Sequence, residues 1–311
     1  MKIFDMHADI GYDVMEKKKQ GIQHVVRDVH QKKFKAGEIA YVGMASYFEG
    51  NESWEDMQEM VTTLRMEILA CDEIDLVLNE HDLLSDTGHT KALLTIEGMC
   101  GIREDAINKL HWLYDQGVRV ASLCWNDENA LATGVRGNPK QGLTEMGIDL
   151  VKEMIRLRMV IDVSHTNETT FWDMMALEPE LIIATHSNAR ALCDHPRNLS
   201  DDQIMAIQER GGVIGMNSAP MFVDEEEALQ DVAHLVHHAR YISELAGVEH
   251  VAIGFDYMDF YEGYEYNMDE MPDCTLAQKF VKQLTQQAFS ESECKAICYQ
   301  NALRVIAKAY Q

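Results

Sequence analysis

Short apolar or β-branched runs, each followed by a longer stretch with helical periodicity, recur along the whole chain. Strands that alternate with helices in this way favour a parallel sheet with helical crossovers. Eight such units predict an α/β fold, a single closed (β/α)8 TIM-like barrel with C-terminal closing helices. The runs are Ile3–His7, Ile39–Tyr47, Ala92–Glu97, Val118–Cys124, Val160–His165, Leu181–His186, Gly212–Asn217 and Val251–Asp256.

A doubly wound open sheet is the alternative architecture. It is disfavoured because no glycine-rich phosphate-binding turn follows any of the runs. Helices are expected between the runs, for example over Trp54–Leu78 and Gly147–Leu157. Glu262–Gln311 is expected to hold a loop and one or two closing helices. Because composition does not change along the chain, we expect residues 1–311 to form one domain.

The composition restricts the partners and the compartment. A formal net charge of −25 argues against binding to nucleic acid or to an anionic membrane. Seven cysteines without CxxC spacing indicate reduced thiols. The N-terminus reaches Asp5 before a signal sequence could form, and no apolar run approaches the roughly 18 residues of a membrane span. We therefore expect a soluble, cytoplasmic protein.

Side chains that commonly bind metals lie at or just beyond the ends of five of these runs. In a barrel, the C-terminal ends of the strands form the rim where active sites are built. The spacing His-x-Asp also directs two side chains to the same face of a strand. We therefore expect six residues to converge on one pocket, although each alone could be an ordinary buried polar group. They are His7, Asp9, Glu97, His165, His186 and Asp256.

Six ligands fit two metal ions better than one, because zinc prefers four ligands and needs an open position for catalysis. Two ions about 3.5 Å apart leave room for a bridging hydroxide that forms at neutral pH. Glu97 is the best bridging ligand, since a carboxylate offers one oxygen to each ion. Three carboxylates and one hydroxide also balance the charge of two divalent cations in a buried site.

Long segments of the chain resemble the membrane (renal) dipeptidase family of binuclear zinc peptidases, including its soluble bacterial-type members. The resemblance runs through "FDMHAD", "LLTIEG", "GLTEMGIDLVKEMIRLRMVIDVSH", "ATHSNARALCDHPRNLSDDQI", "HVAIGFD" and "NALRVI". It implies a metalloprotease-type hydrolase that cleaves dipeptides by means of a metal-bridging hydroxide and tolerates a D-residue at the C-terminal position. It also implies a small dipeptide substrate and, as in many related enzymes, a homodimer.

The resemblance assigns roles to individual residues. Asp256 would touch the first metal and shuttle the proton, and Arg197 would bind the substrate carboxylate. A guanidinium fork suits a free C-terminal carboxylate, although Arg197 taken alone would read as a surface ion pair. His7 and Asp9 would hold one zinc, Glu97 would bridge, and His165 and His186 would hold the other.

The chain departs from the family pattern at two places. Trp125 stands where the family often has a histidine that steadies the tetrahedral intermediate, so Trp125 and Asn126 are the candidate substrate-binding donors there. Met258 replaces a second acid two residues after Asp256. The loop Asp127–Gly142 could close over the pocket, although a flexible connection is the simpler interpretation.

Other interpretations remain open at this point. A barrel hydrolase of the amidohydrolase type that acts on cyclic amides or lactones would use similar ligands, and so would a non-catalytic metal-binding homologue. Zinc is the expected metal, while manganese and iron tolerate the same ligands. Three further histidines in "HLVHHAR", which are His234, His237 and His238, are expected on a solvated helix face.

Overall fold

The computed structural model describes residues 1–261 and 268–311, and its strands form one parallel sheet. Eight of them follow the order β7-β6-β5-β4-β2-β1-β9-β8, and a parallel bridge between Ala184 and Ile214 brings the two outer strands together. The sheet is a nearly closed barrel, which confirms the predicted (β/α)8 fold. The strands are β1 Ile3–Ala8, β2 Ile39–Tyr47, β3 Ile74–Leu76, β4 Thr90–Glu97, β5 Val120–Ala121, β6 Val160–Asp162, β7 Ile182–Ile183, β8 Ile214–Met216 and β9 Val251–Ile253.

Helices connect and surround these strands. They are α1 Ile10–Lys19, α2 Gln31–Gly37, α3 Trp54–Leu69, α4 Glu80–Leu84, α5 Ala106–Gln116, α6 Glu145–Arg156, α7 Glu168–Ala176, α8 Asp201–Glu209, α9 Pro220–Val223, α10 Val232–Ala246, α11 Gln278–Gln286, α12 Glu291–Lys295 and α13 Asn301–Ile306. Several begin at local signals. Ser53, Ser200 and Ser290 each form a capping box, which satisfies the free N–H groups of α3, α8 and α12.

Strand β3 was not predicted. Ile74–Leu76 pairs with the first residues of β4, while β5 pairs with Thr95 and Ile96 further along that strand. Strand β3 therefore pairs with β4 but is not one of the eight strands that form the barrel. The helix predicted over Trp54–Leu78 is shorter in the structure. α3 ends at Leu69, and the chain then turns into β3.

The C-terminal region contains the closing helices that the sequence predicts. After β9 the described residues include α11 and a second helix, in which Ala296–Gln300 joins α12 to α13 without a break, while 262–267 lie outside the described residues. Val305 and Ile306 of α13 share a buried apolar cluster with Phe4, Met6 and Leu93 of the barrel strands. Packing against the barrel therefore holds α13 in place, as a closing helix requires.

Candidate metal centre

The six side chains predicted to bind metal come together at the C-terminal end of the barrel. Each lies on a strand or within three residues of its end, and all are buried except Asp256, which is partly exposed. Strand β1 carries His7, and Asp9 follows it. Glu97 ends β4, while His165, His186 and Asp256 each lie three residues beyond β6, β7 and β9.

Glu97 lies between two groups of ligands. Its Oε2 is 3.4 Å from His7 Nε2, whereas its Oε1 is 2.5 Å from His165 Nε2 and 3.5 Å from His186 Nε2. The two histidine nitrogens on the Oε1 side are 2.9 Å apart. Each oxygen of one carboxylate therefore faces a different set of nitrogens, which is the arrangement that a bridging ligand needs.

The Oε2 side is completed by two more carboxylates. His7 Nε2 lies 3.3 Å from Asp9 Oδ1 and 3.7 Å from Asp256 Oδ1. Ligand atoms of these three residues lie within 4.8 Å of one another, and so do ligand atoms of His7, Glu97 and His186. These two overlapping groups have the dimensions of neighbouring cation sites.

The chemistry of the pocket fits divalent cations. Within the described part of the chain, the buried atoms His7 Nε2 and Asp9 Oδ1 have no hydrogen-bond partner. Burial, followed by the charge of Asp9, raises the pKa of Glu97 to about 8, and burial raises that of Asp256 to about 6. A buried cation would offset this crowding of carboxylates.

The protonation of two histidines suits the same interpretation. Burial, reinforced by nearby positive charge, holds the pKa values of His165 and His186 well below the usual range. Both rings are therefore neutral at pH 7, and the neutral imidazole is the form that binds a metal.

A buried hydrogen-bonded chain orients His186. Asp162 Oδ2 accepts a 2.5 Å hydrogen bond from the hydroxyl of Thr185, and that hydroxyl oxygen lies 2.7 Å from His186 Nδ1. Since the hydroxyl proton is donated to Asp162, the oxygen must accept from the Nδ1–H group. The lone pair of His186 therefore lies on Nε2, which faces Glu97.

A neutral amide orients His165 instead. Asn126 Oδ1 lies 3.0 Å from His165 Nδ1, so the Nδ1–H group donates and Nε2 again carries the lone pair. Asn126, which the sequence predicts as a substrate-binding donor, directs its carbonyl oxygen to a histidine of the centre in the structure. The backbone of His165 has a φ of 75°, in the left-handed region, and its carbonyl accepts from Val135 N at 2.9 Å.

Asp256 is also held in a strained conformation. Its φ is 61°, and Asn217 Nδ2 donates to its Oδ2 at 3.1 Å. Non-glycine residues with left-handed φ angles often mark functional sites, where the surrounding structure offsets the strain. The bond from Asn217 leaves Asp256 Oδ1 directed toward His7.

Comparison with known proteins agrees with this centre. The family described as membrane dipeptidase (peptidase family M19) matches residues 1–311. The chain belongs to the membrane dipeptidase family. It is therefore a metallopeptidase, and the family implies divalent metal ions, for which the carboxylate–histidine groups described above are candidate sites.

Individual relatives are similar over most of the chain. An uncharacterised protein of Klebsiella pneumoniae, from the 5′ region of pqqA, is 34% identical over 70% of this chain and 81% of its own length. An uncharacterised dipeptidase of Schizosaccharomyces pombe is 32% identical over 70% of this chain, which spans 53% of the relative's length. A Rhodobacter sphaeroides metallopeptidase, solved with a phosphinate mimic of L-Ala-D-Ala, has the same fold. Its TM-score is 0.86 at 22% identity, with 99% of each chain covered.

In the described residues of this dipeptidase-family chain, no helix is long and apolar enough to cross a membrane.

Arg197 lies beside the metal centre of this dipeptidase-family chain. It is 5% exposed, and its Nη2 donates to the backbone oxygen of His186 at 3.2 Å. Its Nε is buried and has no hydrogen-bond partner among the described residues. Burial lowers the pKa of this guanidinium, and the charges of Glu97 and Asp256 oppose that shift. A buried cation with a donor still free is ready to bind an anion.

Trp125 lies at the rim of the centre and is half-buried. Its ring centroid is 5.9 Å from that of His165, and it makes an edge contact of 5.2 Å with Tyr47. Tyr47 ends β2 directly opposite Glu97 in the sheet register. Trp125 and Tyr47 therefore line one side of the entrance to the centre.

Three supporting residues were not predicted from the sequence, namely Asp162, Thr185 and Asn217. A signal was present, because each lies inside a run that was predicted to be a buried strand. Buried polar side chains need hydrogen-bond partners, so polar residues in such runs at the same rim are candidates for supporting the ligands. All three are indeed buried.

One of the other histidine predictions was wrong. His238 is 1% exposed rather than solvated. Its Nδ1 accepts from Ala189 N at 3.1 Å, and its Nε2 donates to Val223 O at 2.8 Å. It therefore joins α10 to the loop at Ala189 and to the end of α9.

Proposed function

We propose that this chain hydrolyses dipeptides, including those with a C-terminal D-residue, by means of two divalent ions, Zn²⁺ by preference. One ion would be held by His7 and Asp9 with Asp256 beside it, and the other by His165 and His186. Glu97 would bridge the two. The observation that carries this proposal is the position of Glu97, whose two oxygens face different nitrogens at 3.4 Å and 2.5 Å.

Two bound divalent ions would lower the pKa of a shared water and polarise the peptide carbonyl. The protein's part in the reaction is then proton transfer and positioning. Asp256 would take the proton from the attacking water and deliver it to the leaving amine nitrogen. Its Oδ1 faces the His7 side of the centre, while Asn217 fixes its Oδ2.

Arg197 would select substrates with a free C-terminal carboxylate. In a dipeptide this carboxylate is only one residue from the scissile bond, so its binding also positions the reacting carbonyl. The free Nε of the buried guanidinium supports this role. Cyclic amides and lactones have no such carboxylate, which favours dipeptides over ring substrates.

Trp125 would form one wall of the substrate-binding space. Asn126 would affect the centre indirectly, by orienting His165.

We further propose that residues 1–311 work as one domain, as a homodimer in the cytoplasm. The seven cysteines, all buried with free thiols, are compatible with a reducing compartment.

The test is a screen of L,L- and L,D-dipeptides with zinc supplied and then chelated, together with dipeptides amidated at the C-terminus. We expect hydrolysis that is lost on chelation and is at least about tenfold weaker for the amides. Arg197→Met should lower kcat/KM for free dipeptides and not for amides, whereas Arg210→Met, a matched change outside the centre, should alter neither. Hydrolysis that survives chelation would refute the metal mechanism, and equal cleavage of amides would refute the role of Arg197.

A further inference from the structure

The loop after β5 holds one arginine close to the metal centre. The backbone N–H of Arg136 donates to Asn126 O at 2.7 Å, and the preceding residue, Val135, donates to His165 O at 2.9 Å. The backbone of this segment is therefore tied both to the residue after Trp125 and to a histidine of the centre.

Close packing at Gly134 fixes the course of this loop. A Cβ atom at Gly134 would lie 1.9 Å from the backbone oxygen of Trp125, which no side chain could tolerate. Glycine at this position therefore allows the loop to fold back over the strand end. The interpretation of Asp127–Gly142 as a flexible connection does not hold for the part around Arg136.

The side chain of Arg136 stacks on Trp125. Its guanidinium carbon lies 4.6 Å from the centroid of the Trp125 ring, whose own centroid is 5.9 Å from that of His165. A planar guanidinium over an indole keeps its N–H groups at the edge of the stack, where they can bind an anion. A cation is thus fixed at the rim of the centre.

The charge of Arg136 is only weakly neutralised. Its side chain is 55% exposed, and its ion pair with Asp127 Oδ2 is 3.6 Å long with both partners in solvent. Exposed pairs of this kind contribute little, so an incoming carboxylate can compete with Asp127. Since the chain carries a net charge of −25, selection of an anionic substrate requires such a local cation.

Arg136 and Arg197 lie next to two neighbouring histidines of the centre. Arg136 stacks on Trp125 beside His165, whereas Arg197 Nη2 donates to His186 O at 3.2 Å, and the Nε2 atoms of the two histidines are 2.9 Å apart. If Arg197 holds the α-carboxylate of the C-terminal residue, a side chain of that residue directed past His165 toward Trp125 would meet Arg136. Two such cations suit a residue with two carboxylates.

We propose that Arg136, stacked on Trp125, binds the side-chain carboxylate of dipeptides whose C-terminal residue is aspartate or glutamate. This inference rests on the proposed dipeptidase activity and specifies its substrate class. Glutamine has nearly the shape of glutamate without the charge, so the pair Ala-Glu and Ala-Gln isolates the contribution of the carboxylate.

The test measures kcat/KM of the zinc-loaded enzyme for Ala-Glu and Ala-Gln, each with an L- or D-residue at the C-terminus. The parent enzyme should prefer the glutamate member by about 10- to 100-fold in at least one stereochemical series. Arg136→Gln should remove that preference by lowering only the Ala-Glu value. Arg136→Lys should retain part of it, and Arg27→Gln, a matched change at an exposed arginine, should retain all of it.

The outcomes separate the two proposals. Equal cleavage of Ala-Glu and Ala-Gln by the parent enzyme, or an equal loss for both in Arg136→Gln, would overturn the role of Arg136 and leave the dipeptidase activity standing. Absence of hydrolysis of any dipeptide would overturn the proposed function and this inference together.

Discussion

His165 and His186 lie side by side at the same centre, yet the protein supports them in different ways. His186 is backed by a buried carboxylate, Asp162, through the hydroxyl of Thr185. His165 is backed by the neutral amide of Asn126 and by a strained backbone that the neighbouring loop holds in place. Two histidines at one candidate metal centre are therefore oriented differently, one mainly by charge and the other mainly by backbone geometry.

The difference predicts unequal contributions to metal binding. A carboxylate at the end of a hydrogen-bonded chain increases the basicity of the imidazole, whereas an amide carbonyl mainly fixes the ring orientation and tautomer. We therefore expect His186 to depend more on its support than His165 does. Both also face the same oxygen of Glu97, so loss of that residue should affect both at once.

The largest effect is expected from Glu97→Gln. This change removes the carboxylate that both histidines share, so metal content should fall and kcat/KM for dipeptides should drop by at least about 10³-fold. Elemental analysis and hydrolysis assays measure the two effects, with the surface variant Glu73→Gln as control. Full hydrolysis by the Gln variant would show that Glu97 does not bridge.

An intermediate effect is expected from Thr185→Val, which keeps the shape of the side chain and removes the hydroxyl. Metal affinity, measured by competition with a chelator, should fall by about 10- to 100-fold because His186 loses its connection to Asp162. Thr185→Ser should restore most of the affinity. If the Val variant bound metal as tightly as the parent, the chain from Asp162 would have no role in metal binding.

The smallest effect is expected from Asn126→Ala, at about tenfold in metal affinity, because the backbone bond from Val135 still holds His165. Asn126→Asp should bind metal more tightly than the Ala variant, since it gives His165 a charged partner like that of His186. A greater loss for Asn126→Ala than for Thr185→Val would reverse the comparison.

The sequence was a good guide to the barrel and to the residues at its rim. Hydrophobic runs and turn positions are local properties, so each of the eight predicted runs overlaps a strand. The short strand β3 was absorbed into a predicted helix, since three residues carry too little periodicity to be recognised. His238 was placed in solvent because its partners, Ala189 and Val223, lie outside α10 and are brought to it only by the tertiary fold.

The sequence by itself determined the fold class, the family and the set of side chains that meet at the rim, because strand ends and motif order are written along the chain. Only the tertiary structure decided how each side chain acts. Glu97 faces two sets of nitrogens, Asp162 reaches His186 through Thr185, and Arg136 lies over Trp125. These contacts join separate strand ends and loops, so they depend on how the barrel closes rather than on any local pattern.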